Sequence, residues 1–336
     1  MPKFSWDIFM KLLRAGLWEE DLQLDGPLNS SEWEKLLQAG RNQAVAGLFL
    51  RGVAHLPVEQ MPPVAVRMQL LAEADEIERR NLQASIVERE VLERFGQEGI
   101  VPLVLKGSRA AKYYYEPLLR ESGDIDLFIP KDEFESACAV FPGAKLSPDG
   151  SAVFTYKGVV VELHNRYYDL HVSPDKLPAV PSVCGELLLY SAHILKHALG
   201  PGIGFKQLCD MALALAGNEG KYSKADLEGA LRRSGLYRWH RLLCSMLVSD
   251  LGLDPRFCLD SFVPCNPSPL RNIIRDGGNF GSTYGSRQKA IKSKNSVLKK
   301  TNTLLSFLRH IPFAITIAPG EAVATVRELI KGNIYN

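Results

Sequence analysis

The amino-acid sequence predicts an α+β fold, with a small mixed sheet near residues 99–170 between helical regions at 1–98 and 171–336. Three observations predict it. Apolar residues recur at three- to five-residue intervals from Val64 to about Glu98, the spacing of a helical face. Between Ile100 and His164 the pattern changes to alternation and short apolar runs, which mark strands. From Gly185 to Leu251 the helical spacing returns.

In chain order, Ser31-Glu-Trp-Glu34 has the form of a capping box, with Leu36 and Leu37 following. In that arrangement the Ser and Glu side chains satisfy each other's exposed backbone N–H groups, so a helix is expected to start there. Val64 to Glu98 lacks Pro and has no Gly before Gly96. Leu70, Leu71, Ile77, Leu82, Ile86, Val91 and Leu92 give it the pattern of one long amphipathic helix, or two. Gly99 ends it, and Ile100-Val-Pro-Leu-Val-Leu105 reads as a buried strand. A helical stretch is expected through Tyr113 to Tyr115, whose rings read as packing rather than base stacking.

Gly123-Asp-Ile-Asp-Leu-Phe-Ile129 alternates strictly and stops at Pro130, so it reads as a second strand. Residues 141–150 contain two Pro and two Gly and read as a loop. Ala152–Tyr156 and Val159–His164 then form a hairpin across Lys157-Gly158. Helices are expected over Glu186–Leu199, Lys206–Leu215, Lys224–Leu251 with a break at Ser234-Gly235, and near Glu321–Ile330. Arg287 to Lys300 is a basic run that reads as a solvated segment.

The chemistry is concentrated between Lys106 and His164. Successive side chains of a strand point to opposite faces, so Asp124 and Asp126 share one face while Ile125, Leu127 and Ile129 face the core. Their Cα atoms are about 6.6 Å apart in an extended strand, close enough for both carboxylates to reach one hard cation. On the hairpin strand, Glu162 and His164 share a face opposite Val161 and Leu163. If that strand lies beside the Asp strand, Glu162 completes an acidic triad. Lys106-Gly-Ser108 sits between a strand and a helix, where Gly allows close backbone approach and helix N–H groups can hold phosphate.

These residues carry a resemblance. Leu105-Lys-Gly-Ser108, Arg120-Glu-Ser-Gly-Asp-Ile-Asp-Leu127 and Val161-Glu-Leu-His164 resemble the polymerase-β-like nucleotidyltransferase superfamily. More narrowly the chain resembles a bacterial family of uncharacterised nucleotidyltransferases. That family shares a downstream helical segment like His193-Ile-Leu-Lys-His197 with Gly204-Phe-Lys-Gln-Leu-Cys-Asp210. The resemblance implies a nucleotidyltransferase core at 99–170 that uses Mg²⁺, or Mn²⁺, to move a nucleoside monophosphate from an NTP to a hydroxyl acceptor. Asp124, Asp126 and Glu162 are the expected catalytic and metal-binding residues, and Lys106, Gly107, Ser108 and Arg120 the expected nucleotide-binding ones. His164, His193, His197 and Asp210 are expected along the cleft, with the two α-helical histidines read as structural rather than as zinc ligands.

A small-molecule acceptor is the favoured reading, with a tRNA or protein acceptor as an alternative that the basic run would serve. A nucleotide-binding module without turnover is a third reading, and the intact carboxylates count against it. Composition narrows the partners. With 40 basic and 38 acidic residues the formal charge is only +2, so no general attraction to nucleic acid or anionic membranes is expected. The six cysteines are scattered, without Cys-x-x-Cys or zinc spacing, and read as reduced thiols of a cytoplasmic protein. The N-terminus lacks the pattern of a signal peptide. Leu304 to Ile317 is cut by Arg309, His310 and Pro312 and is shorter than the roughly 20 residues of a bilayer span.

Overall fold

The computed structural model describes residues 5–147, 150–168, 170–173, 176–200, 202–279 and 310–330. The basic run 287–300 lies outside them. Helix α1 (Trp6–Trp18) is followed by α2 (Ser30–Asn42), α3 (Ala46–Ala54) and the 34-residue α4 (Val64–Gln97). The capping box of α2 is present but sits two residues upstream of its expected place. Asn29 accepts from the Glu32 N–H, and the Glu32 carboxylate accepts from the Asn29 N–H. Ser31 falls inside the first turn, because Asn caps as well as Ser and the earlier start buries Trp33 with Leu36 and Leu37.

Gly99, at φ 75°, ends α4 as expected. The strand after it is much shorter than Ile100–Leu105: only Leu103–Val104 (β1) finds a partner in β2 (Ile125–Phe128). Between them lie the single-turn helix α5 (Ser108–Ala111) and a 3-10 turn at Pro117–Leu119. The helix expected through Tyr113–Tyr115 does not form. The chain turns there instead, and the Tyr113 and Tyr114 hydroxyls donate to Glu186 and Asp210, carboxylates far along the sequence. These tertiary hydrogen bonds, the second of them buried, outweigh local helix propensity.

Helix α6 (Phe134–Val140) leads to β3 (Lys145–Leu146), an edge strand within the segment expected to be all loop. Then come β4 (Ser151–Tyr156) and β5 (Val159–His164). Their hairpin turns on Lys157 and Gly158, both at positive φ (48° and 83°), the two-residue geometry that matches strand twist and favours Gly. The sheet is five-stranded and mixed, in the order β1-β2-β5-β4-β3, with β2 and β5 parallel and the other pairs antiparallel.

One face of this sheet packs Ile125, Leu127, Val161 and Leu163 against Val87, Val91 and Phe95 of α4 and Phe134 of α6. The other face carries the polar residues. Opposite it run α7 (Val183–Leu199) and α8 (Phe205–Gly217), followed by α9 (Lys224–Arg233), α10 (Tyr237–Leu251), α11 (Ser268–Gly277), α12 (310–317) and α13 (Pro319–Ile330). Helices from both ends of the chain share one apolar core that includes Trp33, Phe49, Phe205 and Trp239. Arg14 and Trp18 of α1 also donate to the Asp250 and Leu251 carbonyls at the end of α10, each at 2.6 Å. No helix among the described residues is long and apolar enough to cross a membrane.

Candidate active site

The polar face of the sheet is organised by the parallel pairing of β2 and β5, which sets Asp126 directly beside Glu162 and Phe128 beside His164. Two carboxylates from neighbouring strands therefore project together, at the roughly 4.8 Å spacing of a ladder. Asp124 lies two residues before Asp126, on the same side and just outside the strand. All three line a cavity of about 490 Å³, within the range of small-ligand sites.

Asp126 is the buried centre of the cluster, with 7% of its side chain exposed. Burial alone would raise its pKa. The Lys106 ammonium at 3.0 Å and His164 Nε2 at 2.8 Å, both on Asp126 Oδ1, reverse that and hold the carboxyl far below its usual range. Its neighbours move the other way. Burial, with the charges of Asp126 and Asp124, raises Glu162, while burial by surrounding protein and the Asp126 charge raise Asp124 at the cleft rim. The site holds one firmly ionised carboxylate flanked by two whose proton affinity is increased, the pattern of a place built to receive positive charge.

Lys106 follows β1 and begins the turn into α5. The Leu105 N–H donates to the Asp126 carbonyl, and Gly107, at φ 55°, starts α5. A side chain at Gly107 would be strained, because that φ disfavours every residue with a Cβ. Ser108 is placed differently from its expected role: its hydroxyl donates to Glu88 of α4 at 2.7 Å, and it is absent from the cavity lining.

Arg120 also differs from a free phosphate ligand. Its Nε and Nη2 donate to the two oxygens of Asp210, each at 2.7 Å, and Tyr114 donates to the same carboxylate. Both members of the pair are buried. This bidentate pair ties the segment before β2 to α8 and so fixes the distance between the acidic face and the opposite wall. Asp210→Asn is expected to destabilise the fold by about 3–5 kcal/mol, because it leaves the buried Arg120 charge uncompensated. A urea-unfolding midpoint equal to wild type would show that the tie does not hold the two walls.

The opposite wall contains His193, Lys196 and His197 of α7 and Lys206, Gln207 and Asp210 of α8. The rings of His193 and His197 meet edge to face at 4.3 Å. Burial, with the positive charge of Lys106, pushes His193 well below its ordinary pKa and keeps it neutral. Burial, reinforced by Arg120, likewise lowers Lys206. Lys206, Gln207, Arg166 and Tyr167 line the cavity without having been singled out as site residues from sequence. Lys206 and Gln207 lie within the Gly204–Asp210 motif, which was the available signal.

Residues 29–249, about two thirds of the chain, match the family model described as uncharacterised nucleotidyltransferase. The chain belongs to that family. No curated protein and no solved structure matches it.

Nucleotidyl transfer generally uses a divalent cation, and the residues of this nucleotidyltransferase fit one. Ligand atoms of Asp126, Glu162 and His164 lie within 4.8 Å of one another. His164, expected only along the cleft, thus stands in the close donor group, and Asp124 stands beside it. Two carboxylates with an imidazole offer oxygen and nitrogen donors of the kinds that divalent cations take. A bound cation would offset the carboxylate repulsion that, after burial, raises Glu162 and Asp124.

Proposed function

We propose that this nucleotidyltransferase moves a nucleoside monophosphate from an NTP to the hydroxyl of a small acceptor, with Mg²⁺ or Mn²⁺ held by Asp126, Glu162 and Asp124 and assisted by His164. The observation that carries the reading is the side-by-side register of Asp126 and Glu162 on parallel strands, inside a cavity whose far wall presents Lys196 and Lys206. Acid on one side and base on the other suit a polyanion that arrives with a cation. When bound, the cation withdraws charge from the phosphoryl oxygens and from the departing pyrophosphate.

The chain's own groups supply the rest. Lys106 and Lys206 bring positive charge toward the phosphates, and the backbone at Gly107 allows close approach. Glu162, raised by burial and by its acidic neighbours, accepts the proton of the attacking hydroxyl. Arg120 and Asp210 act as positioning residues. A nucleoside triphosphate donor suits a cytoplasmic setting.

The test is to incubate the protein with each α-labelled NTP, Mg²⁺ and a fractionated cell extract. The expected result is pyrophosphate release with label in the small-molecule fraction, and loss of both in chelator. Label confined to RNA or protein would replace this acceptor class with a macromolecular one. Absence of pyrophosphate release with every NTP and fraction would remove the transferase reading.

A further inference from the structure

Arg166 lines the cavity with no counter-charge among the described residues. Lys106 sits on Asp126 at 3.0 Å and Arg120 on Asp210 at 2.7 Å. The Arg166 side chain, by contrast, is exposed and forms no hydrogen bond or ion pair with any described residue. Its place in the chain puts it beyond the reacting groups. Glu162 and His164 lie on the polar face of β5, and Arg166 follows two residues after that strand ends, lining the same cavity.

The two ends of the cavity differ. Gly107, where the backbone allows phosphate to approach, stands at the Asp124 end: a Cβ on it would lie 3.7 Å from the Asp124 carbonyl oxygen. Asp124 precedes Ile125, which pairs with Val161, so that end is level with Val160. Arg166 is six residues further on, up to about 22 Å away along the chain. In nucleotidyl transfer the attacking and leaving oxygens stand roughly in line across the phosphorus. With the donor's pyrophosphate toward Gly107 and Asp124, and Glu162 between, the acceptor hydroxyl comes from the side of His164 and Arg166.

We propose that Arg166 selects an acceptor that carries an anionic group, a carboxylate or a phosphate, on the same molecule as the attacking hydroxyl. The assignment rests on the proposed nucleotidyl transfer, which sets the direction of approach. A guanidinium meets either anion with two parallel N–H donors and so reads its planar geometry as well as its charge. Four residues separate Glu162 from Arg166, at most about 14 Å, so one small molecule spans both. Its hydroxyl gives its proton to Glu162 while the oxygen bonds to the α-phosphorus and the bond to pyrophosphate breaks. Its anion stays on Arg166 throughout.

Calorimetric binding to the full chain tests this. Mg²⁺ tripolyphosphate first fills the donor end without a nucleobase. Glucose, glucuronate and glucose 6-phosphate, which share a ring of hydroxyls and differ at one carbon, are then titrated into that complex. The expected result is saturable binding of glucuronate, glucose 6-phosphate or both, and none of glucose. Arg166→Ala should weaken the charged sugars by about tenfold or more, the size of a lost charge-assisted contact, and leave tripolyphosphate affinity within about twofold. The side chain is exposed and unpaired among the described residues, so an unchanged melting temperature is expected. Three results overturn the assignment: equal binding of charged and uncharged sugars, no sugar bound by a protein that binds Mg²⁺ tripolyphosphate, or a variant indistinguishable from wild type. A variant that loses tripolyphosphate also overturns it, by putting Arg166 on the donor. No binding of Mg²⁺ tripolyphosphate by the wild type instead removes the transferase reading on which the assignment stands.

Discussion

Asp126→Asn is expected to abolish Mg²⁺-dependent nucleotide binding and to lower nucleotidyl transfer by about 10³-fold or more. The substitution keeps the shape of the side chain and removes its charge. In the native site that charge is what holds Lys106 and His164 on one carboxylate oxygen, at 3.0 Å and 2.8 Å. A neutral amide offers a hard cation only a weak carbonyl oxygen, and it removes the nearest negative charge from the Lys106 ammonium. Asp124 and Glu162 do not compensate, because neither stands at the buried centre of the cluster, where Asp126 is set between Lys106 and His164. Calorimetric titration with NTP should give heat for the wild type in Mg²⁺, none in chelator, and none for Asp126→Asn in either. Equal affinities for wild type and variant, with or without the cation, would show that nucleotide is held elsewhere and that the acidic cluster is not its site.

What the sequence made legible follows from the range of the interactions concerned. The faces of Asp124, Asp126, Glu162 and His164 were readable because side-chain alternation is a property of each strand by itself. That β2 and β5 are neighbours, with Asp126 in register with Glu162, could only be posed as a condition, since strand pairing is non-local. The same limit explains Arg120. Its guanidinium looked available for phosphate, but the partner that neutralises it, Asp210, lies 90 positions along the chain. Tyr113 and Tyr114 illustrate it again: local propensity favoured a helix, and two distant carboxylates decided otherwise. At α2, two capping-box patterns overlap within six residues, and local chemistry does not choose between Asn29 and Ser31. On α4 the apolar positions were all visible, but Leu71, Leu82 and Ile86 are exposed while Leu70, Ile77 and Val91 are buried. Periodicity identified a helix without saying that it had a second face.

Glu162→Gln should separate binding from chemistry. The amide keeps a cation-facing oxygen and the hydrogen-bonding size of the native group, and Asp126 still carries the ionised carboxylate of the cluster. Nucleotide affinity in Mg²⁺ is therefore expected to fall by no more than about tenfold. Turnover is expected to fall by about 10²-fold or more, because the amide cannot take a proton from the acceptor hydroxyl. The pH profile distinguishes this from a loss of shape. Protonation of Glu162 removes the base on acidification, so wild-type turnover should fall along an acid limb, which the bound cation sets lower than the raised pKa of the cation-free site. The residual turnover of Glu162→Gln should lack the limb, whereas a variant that merely displaced the substrate would keep it. Near-normal turnover in Glu162→Gln, or an acid limb unchanged between the two proteins, would assign proton transfer to a different group. The neutral His193 on the facing wall would then be the first to substitute.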